Sequence, residues 1–149
     1  MRIPRKTRHK VWFYFFLAFV VFIPLWIRFS PNPPDKWHID PSLEQIKTGR
    51  SYQKAFTNVF LEAGDVFSVV PALNDEKAKM IAGSVQQGFV TFLVRTQGMG
   101  YPDFLSAKLE NDVLYVYSRS RFGNASDWGR NKRRVVAWKN KLDALAASK

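Results

Sequence analysis

The feature that most constrains this chain is an uncharged apolar run close to its start. Val11–Ile27 reads VWFYFFLAFVVFIPLWI and contains no charged residue. At about 1.5 Å per residue such a run covers roughly 25 Å, and interfacial flanks extend it to the ~30 Å hydrocarbon core of a bilayer. Trp12 and Tyr14 stand at one end and Trp26 at the other, where amphipathic rings prefer the headgroup level. The sequence therefore predicts a transmembrane helix over 11–27, with Pro24 tolerated near its end.

The residues on either side of this run predict its orientation. Residues 1–10 are basic and contain no acid, which predicts a cytoplasmic tail. The basic start also suits a cleaved signal peptide, which is the alternative. An uncleaved anchor is favoured because the run is bulky and no small-residue cleavage site follows in Arg28–Asn32. We therefore expect a single-pass membrane protein with a cytoplasmic N-terminus and a C-terminal domain on the other side of the membrane.

A proline-rich stretch separates the predicted anchor from the rest of the chain. Pro31, Pro33 and Pro34 fall within 28–36, where prolines cannot continue a helix and favour an extended spacer. The linker is short, so the domain over 37–149 is expected to work close to the bilayer, on lipid or on another membrane protein.

The pattern of the domain predicts an α+β fold, in which an antiparallel sheet of four or five strands packs against two helices. A short helix is predicted first, capped by Asp40, with Leu43 and Ile46 facing inward and Gly49 at its end. The other predicted elements are a strand over 51–60, a helix over 65–73, strands over 78–85 and 88–95, a hairpin over 102–121 and a helix over 129–145. The strand over 88–95 is apolar on both faces, which predicts an interior position in the sheet.

The hairpin also predicts a register. A two-residue turn at Asn111-Asp112 pairs Leu109 with Leu114, Ala107 with Val116, Leu105 with Ser118, and Asp103 with Ser120. Because side chains alternate along a strand, one face is apolar near the turn and polar at the open end. The opposite face carries Phe104, Lys108, Tyr115, Tyr117 and Arg119.

Composition excludes several classes of function. The chain has no cysteine and only 2 histidines, so it lacks the side chains for disulfides, thiol catalysis, iron–sulfur clusters and cysteine-based zinc sites. It contains neither a P-loop nor a serine elbow. We predict no metal, no cofactor and no catalytic residue, and a cofactor-free envelope enzyme is the least favoured function.

The densest set of motifs lies between the hairpin and the last helix. Ser118–Val135 reads SRSRFGNASDWGRNKRRV, and Gly100-Tyr101-Pro102-Asp103 precedes it. These motifs resemble the bacterial family called domain of unknown function 1499, whose pattern is an aromatic-Pro-Asp step, a strand, Ser-Arg-Ser-Arg-x-Gly, Ser-Asp-x-Gly-x-Asn and a basic helix. The likeness extends from about Trp37 to Leu145, and Trp37-His38-x-Asp40-Pro41 is similar to its membrane-anchored proteobacterial members. The resemblance to a bacterial family implies that the membrane is the bacterial inner (plasma) membrane and that the C-terminal domain is periplasmic. It implies no activity and no ligand.

The polar residues of these motifs permit two interpretations. We expect Asp103, Ser118, Ser120, Arg121, Asp127 and Asn131 to converge where the open end of the hairpin meets the last helix, which Ser126 or Asp127 caps. Helical spacing puts Asn131 on the apolar stripe of Val135, so its amide needs buried partners. The first interpretation is a structural polar network. The second is an anion or headgroup site in which Arg119 and Arg121 donate hydrogen bonds and the start of the last helix supplies amide donors.

The run from Arg119 to Lys141 is strongly basic, in a chain whose formal net charge is +11. Helical spacing puts Arg130, Arg134 and Lys141 on one side of the last helix, which predicts a patch for anionic lipid or an acidic partner. Predicted export makes nucleic acid an unsuitable partner. Besides the lipid bilayer, we therefore expect another membrane protein or an anionic lipid headgroup as partner. The favoured function is a non-catalytic envelope binding or assembly factor, and the alternative is a module that binds an anionic ligand or headgroup.

Overall fold

The computed structural model describes residues 5–43, 51–69, 77–97, 100–122 and 127–149. A long N-terminal helix leads into an α+β domain. The elements in chain order are α1 (Arg5–Phe29), α2 (Pro34–Trp37), β1 (Ser51–Phe56), α3 (Ala63–Ser68), β2 (Lys77–Ser84), β3 (Phe89–Arg95), β4 (Pro102–Glu110), β5 (Val113–Ser120) and α4 (Arg130–Ala147).

Helix α1 is long and apolar enough to cross a bilayer. The most apolar 18-residue window within His9–Phe29 has a mean hydropathy of 2.0, and only 6% of that window is buried within the protein. The helix continues past the predicted end at Ile27 and closes where the Ser30 amide donates to the Trp26 carbonyl at 2.8 Å. Arg28 lies in the last turn, where a positive charge interacts favourably with the helix dipole.

The five strands form one antiparallel sheet in the order β1-β5-β4-β3-β2. The α+β class is therefore confirmed, and the interior position predicted for the strand now called β3 is found. The hairpin of β4 and β5 has the predicted register, from Leu109 opposite Leu114 to Asp103 opposite Ser120. Its turn residues both adopt the left-handed conformation, with φ of 51° at Asn111 and 59° at Asp112, as a type I′ turn requires.

The apolar core lies between one face of the sheet and helices α3 and α4. Leu105, Ala107 and Val116 on the sheet and Val135 on α4 are all fully buried. Trp138 of α4 completes this core, and its indole Nε1 donates to the Val66 carbonyl of α3 at 3.3 Å. The apolar stripe predicted for the last helix therefore faces the sheet.

The second face of the sheet is also covered, by α2 and the residues after it. Trp37 stacks on Phe104 with 3.9 Å between ring centroids, and His38 stacks on Phe89 at the same distance. The spacer predicted to be extended therefore contains a turn of helix that rests on the sheet. Pro34 begins that turn, because its fixed φ suits the first helical position.

Several predicted boundaries change. The first strand ends at Phe56 instead of residue 60, because Asn58 adopts a left-handed φ of 60° that extended backbone does not accommodate. Leu43 was expected to face inward and is 81% exposed. Ile46, Gly49 and the end of the helix predicted over 65–73 lie outside the described residues.

Candidate functional site

The candidate residues gather at one end of the sheet, which we call the loop end. Strand β3 ends here at Arg95, β4 begins at Pro102 and β5 ends at Ser120. The Arg121 amide donates to the Pro102 carbonyl at 3.2 Å, which joins the chain leaving β5 to the start of β4. The Asn111-Asp112 turn lies at the opposite end, which we call the turn end.

A buried ion pair joins the sheet to α4 at the loop end. Arg134 is fully buried and Asp103 is 2% exposed. Their atoms Nη2 and Oδ2 are 3.0 Å apart, and Arg130 Nη1 lies 3.7 Å from the same carboxylate oxygen. Helical spacing had predicted Arg134 on an exposed basic face. That prediction is corrected, because the guanidinium turns inward to neutralise a carboxylate that the sheet also buries.

Asn131 connects this ion pair to the serines of β5. It is fully buried, as its position on the apolar stripe predicted. Its Oδ1 accepts from Ser118 Oγ at 2.6 Å and from Arg134 Nη1 at 3.0 Å, and its Nδ2 donates to Ser120 Oγ at 3.3 Å. The amide therefore has the buried partners that it needs.

Asp127 accepts hydrogen bonds from amides at the start of α4, although the N-cap residue of this helix is Gly129. Its Oδ1 accepts from the Gly129 amide and its Oδ2 from the Asn131 amide, both at 3.0 Å. A carboxylate here satisfies amides that have no partner inside the helix. It also occupies the position in which the second interpretation would put an anion. Ser126, the other predicted cap, lies outside the described residues.

These contacts form a polar network of Asp103, Ser118, Ser120, Asp127, Asn131 and Arg134. Burial raises the pKa of Asp103, while the positive charge of Arg134 opposes that rise. The donors and acceptors of the network point at one another, which is the geometry of the structural interpretation.

Arg119 lies on the second face and is only 6% exposed. Its guanidinium packs over the ring of Tyr117, 4.6 Å from the centroid, and its Nη2 donates to the Trp37 carbonyl. It had been predicted as a donor to an external anion. In the structure Arg119 instead fastens the segment that follows α2 to the sheet, because Trp37 covers this face.

Arg121 contacts the chain that leaves α1. Its Nη1 donates to Asn32 Oδ1 at 2.7 Å and lies 3.4 Å from the Ser30 carbonyl oxygen. The ring of Phe122 is 6.0 Å from that of Trp26 and 6.1 Å from that of Tyr101. The loop end of the sheet therefore packs against the end of α1.

Two further arginines lie near this contact between the loop end and the end of α1. Arg95 Nη1 donates to the Gly100 carbonyl at 2.9 Å. Gly100 has a left-handed φ of 69°, and Arg28 Nη1 lies 3.6 Å from the position that a Cβ at this glycine would occupy. We call Arg28, Arg95 and Arg121 the arginine cluster. None of the ion pairs among the described residues includes a member of this cluster.

The pKa of Arg95 reflects the positive charges of the other two members of the cluster. Burial lowers the pKa of Arg95, and the positive charges of Arg28 and Arg121 lower it further. Sequence reasoning selected Arg121 and missed Arg28 and Arg95. No local signal could have joined the three residues, because each belongs to a different segment and only the fold brings those segments together.

One exposed aromatic side chain lies at this junction, and another lies in the turn before α4. Phe29, the last residue of α1, is 75% exposed. Trp128, in the turn before α4, is 81% exposed and has a φ of 53°, which is rare for a bulky side chain.

Two polar contacts fasten the second face away from the cluster. Lys108 Nζ lies 3.0 Å from Asp40 Oδ2, and Ser42 donates to Asp40 Oδ1 through both its amide and its hydroxyl. Burial of Asp40 acts to raise its pKa, but these hydrogen bonds and Lys108 outweigh it and leave the pKa lowered. Burial lowers the pKa of His38, which bonds to Thr91 Oγ1 at 2.9 Å. Among the residues that the structure describes, no three His, Asp or Glu side chains are grouped to hold a metal.

The structure thus defines an α+β domain joined to a helix that is long and apolar enough to cross a membrane, with arginines and aromatic rings where the two meet. The chain belongs to the family described as Protein of unknown function (DUF1499), whose model matches residues 39–142. The resemblance drawn from the motifs is therefore confirmed. Comparisons with curated proteins and with solved structures give no match. The family description names no activity, so the function has to be argued from the geometry.

Proposed function

We propose that this protein is a non-catalytic, single-pass membrane protein whose periplasmic domain binds at the surface of the inner membrane that anchors it. The loop end of the sheet turns toward the bilayer. The contact of Arg121 and Phe122 with the end of α1 carries this proposal, because it fixes which end of the domain lies next to the predicted anchor.

The chemistry of the junction supports this orientation. Trp26 belongs to the last turns of α1, and tryptophan prefers the headgroup level of a bilayer. Phe122 and Tyr101 follow Trp26 in one chain of ring contacts. Aromatic rings beside arginines suit an interface in which apolar chains lie next to charged headgroups. The basic residues 1–10 support a cytoplasmic N-terminus and therefore a periplasmic domain.

The burial and ion pairing of Asp103 favour binding over catalysis. Asp103, the carboxylate best suited to acid–base chemistry, is 2% exposed and bonded to Arg134. A general acid or base must reach the proton that it transfers. An assembly role that uses Arg119 and Arg134 loses its support, since both side chains are interior.

The orientation can be measured on the full-length protein in lipid nanodiscs. The chain has no cysteine, so one introduced cysteine carries a single spin label. Gln97→Cys marks the loop end, and Glu110→Cys is the matched control near the turn end, because both side chains are exposed. Strand β4, which is 9 residues long, separates the two sites by about 30 Å at roughly 3.3 Å per residue.

We expect the label at Gln97→Cys to be relaxed by nickel-chelating lipid in the disc, and the label at Glu110→Cys to be unaffected. Equal relaxation at the two positions, or stronger relaxation at Glu110→Cys, would contradict the proposed orientation.

A further inference from the structure

We propose that the arginine cluster of Arg28, Arg95 and Arg121 binds the phosphate group of an anionic phospholipid headgroup. This inference rests on the proposed function, because only a domain whose loop end faces the bilayer brings the cluster to the headgroups.

The balance of charge at the cluster is the first argument. Arg28 and Arg95 both approach Gly100. Arg121 joins them because its amide donates to Pro102, which lies opposite Arg95 in the sheet. The three positive charges repel one another, and none of them joins an ion pair within the described parts of the chain. The buried network nearby shows the opposite arrangement, because Asp103 there neutralises Arg134. A cluster of positive charges that no carboxylate among the described residues neutralises is stabilised when an anion binds between its members.

The available hydrogen-bond donors are the second argument. Arg95 and Arg121 each use Nη1 for their contacts with the protein, to the Gly100 carbonyl and to Asn32 with Ser30. A guanidinium has five N–H donors, so donors remain on both side chains after these contacts. Their protein contacts hold the two groups in place, and their planar forks match the oxygens of a phosphate.

The approach of Arg28 to this site depends on one glycine. Gly100 is buried, and its left-handed φ of 69° turns the loop so that its carbonyl meets Arg95. Arg28 Cγ and Nη1 lie 3.8 Å and 3.6 Å from the position of an added Cβ at this glycine. Arg28, which is exposed as a whole residue, therefore passes along the backbone at Gly100, and both its stem and its guanidinium approach this glycine.

The position of Arg28 on α1 favours the phosphate of a lipid headgroup over a free phosphate ion as the ligand. Arg28 lies in the last turn of a helix long enough to cross a bilayer, next to Trp26 and the exposed ring of Phe29. Headgroup phosphates lie at the depth where such a helix leaves the hydrocarbon core. Apolar rings around the site do not contribute to the binding of a free anion, whereas the glycerol and acyl parts of a lipid pack against them.

The test measures lipid retained by the full-length protein. The protein is exchanged into detergent with phosphatidylglycerol or phosphatidylcholine, and bound lipid is counted by native mass spectrometry. The cluster variant is Arg95→Gln with Arg121→Gln, which removes two charges but keeps polar side chains. The matched control is Lys54→Gln with Lys132→Gln, which removes two charges from exposed positions on β1 and α4.

We expect the wild type and the control to retain phosphatidylglycerol in preference to phosphatidylcholine. The cluster variant should retain about tenfold less, because it loses charge-assisted hydrogen bonds. If the cluster variant retains phosphatidylglycerol like the wild type, the proposal is overturned. Equal loss in the control overturns it as well, since net charge would then explain the binding.

Two further arms separate the possible explanations. Inorganic phosphate is titrated alone, and a saturating thermal shift without retained lipid would replace the lipid by a free anion and overturn the proposal. Circular dichroism melts show whether the cluster variant folds. If it does not fold, Arg28→Gln, which changes an exposed side chain, replaces it in the lipid measurement.

The label at Gln97→Cys separates this proposal from the proposed function. Loss of lipid selectivity with the label still close to the bilayer in every variant supports the site, whereas a wild-type label far from the bilayer removes both proposals.

Discussion

Two groups of arginines lie at the same end of the sheet, and the fold treats them in opposite ways. Arg134 is fully buried, and its charge is neutralised by Asp103. In the arginine cluster, Arg28 is exposed, Arg95 and Arg121 are half-buried, and their contacts within the described residues are to uncharged oxygens. A basic side chain in a motif therefore does not by itself identify a binding site. What distinguishes the two groups is whether the fold also supplies the counter-charge.

The largest effect is expected from breaking the buried pair. Arg134→Met removes the nearer partner of the buried Asp103 carboxylate and leaves Arg130 at 3.7 Å, which should lower the free energy of unfolding by about 3–5 kcal/mol. Urea denaturation of the full-length protein in mild detergent, followed by circular dichroism, measures this loss. Adding Asp103→Leu should recover most of the stability, because no unpaired charge remains. A double variant no more stable than Arg134→Met would show that the pair has a role besides charge neutralisation.

The next effect is expected at the amide inside the same network. Asn131→Ala removes the acceptor of Ser118 and the donor to Ser120, and should cost about 1–3 kcal/mol. The same denaturation experiment measures it, with Asn140→Ala as the control at an exposed position of α4. An effect of Asn131→Ala as small as that of the control would mean that the serines find other partners.

The partly exposed ion pair of Asp40 and Lys108 should contribute less to the free energy of unfolding than either buried contact. The pKa of Asp40 is lowered in the folded protein, so its contribution to stability is present above its ordinary pKa of 3.8 and disappears as the pH falls through the folded value. Asp40→Asn should therefore lower the melting temperature at pH 7, and the difference from the wild type should disappear on strong acidification. Pairs near the surface are typically worth less than about 1 kcal/mol. A difference that persists at pH 2 would contradict the ionic explanation.

The smallest effect on stability is expected in the arginine cluster. Arg121→Gln removes a charge that no described carboxylate neutralises, so the free energy of unfolding should change by less than about 0.5 kcal/mol. The same substitution should reduce retention of phosphatidylglycerol. This contrast with Arg134→Met sharpens the comparison most directly, since one variant changes stability and the other changes binding. If Arg121→Gln destabilises as much as Asn131→Ala, the cluster belongs to the structural core of the domain.

The parts of the fold that could be predicted from sequence depend on local rules. Asn111-Asp112 selects a two-residue turn, and alternation then fixes which residues of the hairpin face α4. Helical spacing located Asn131 on the buried stripe with Val135. Each of these inferences needs only the geometry of one element or of two neighbouring strands.

The same rules were insufficient for the arginines. Helical spacing puts Arg134 beside the buried stripe, and it was assigned to the surface because arginines are usually exposed. Only the pairing of Asp103 with the end of β5 brings a carboxylate within reach of it. Arg119 follows Ser118 and so faces away from α4, but the strand pattern contains no sign that Trp37 covers that face.

The sequence by itself determined the apolar helix, the α+β class, the hairpin register and the family, because these depend on composition, periodicity and the order of motifs. The tertiary structure alone decided which charges are neutralised and which remain available. Arg28, Arg95 and Arg121 meet because the end of α1, the loop after β3 and the end of β5 pack together. Electrostatic interactions act through space, so the pairing of a charge follows from its neighbours in the fold and not from its neighbours in the chain.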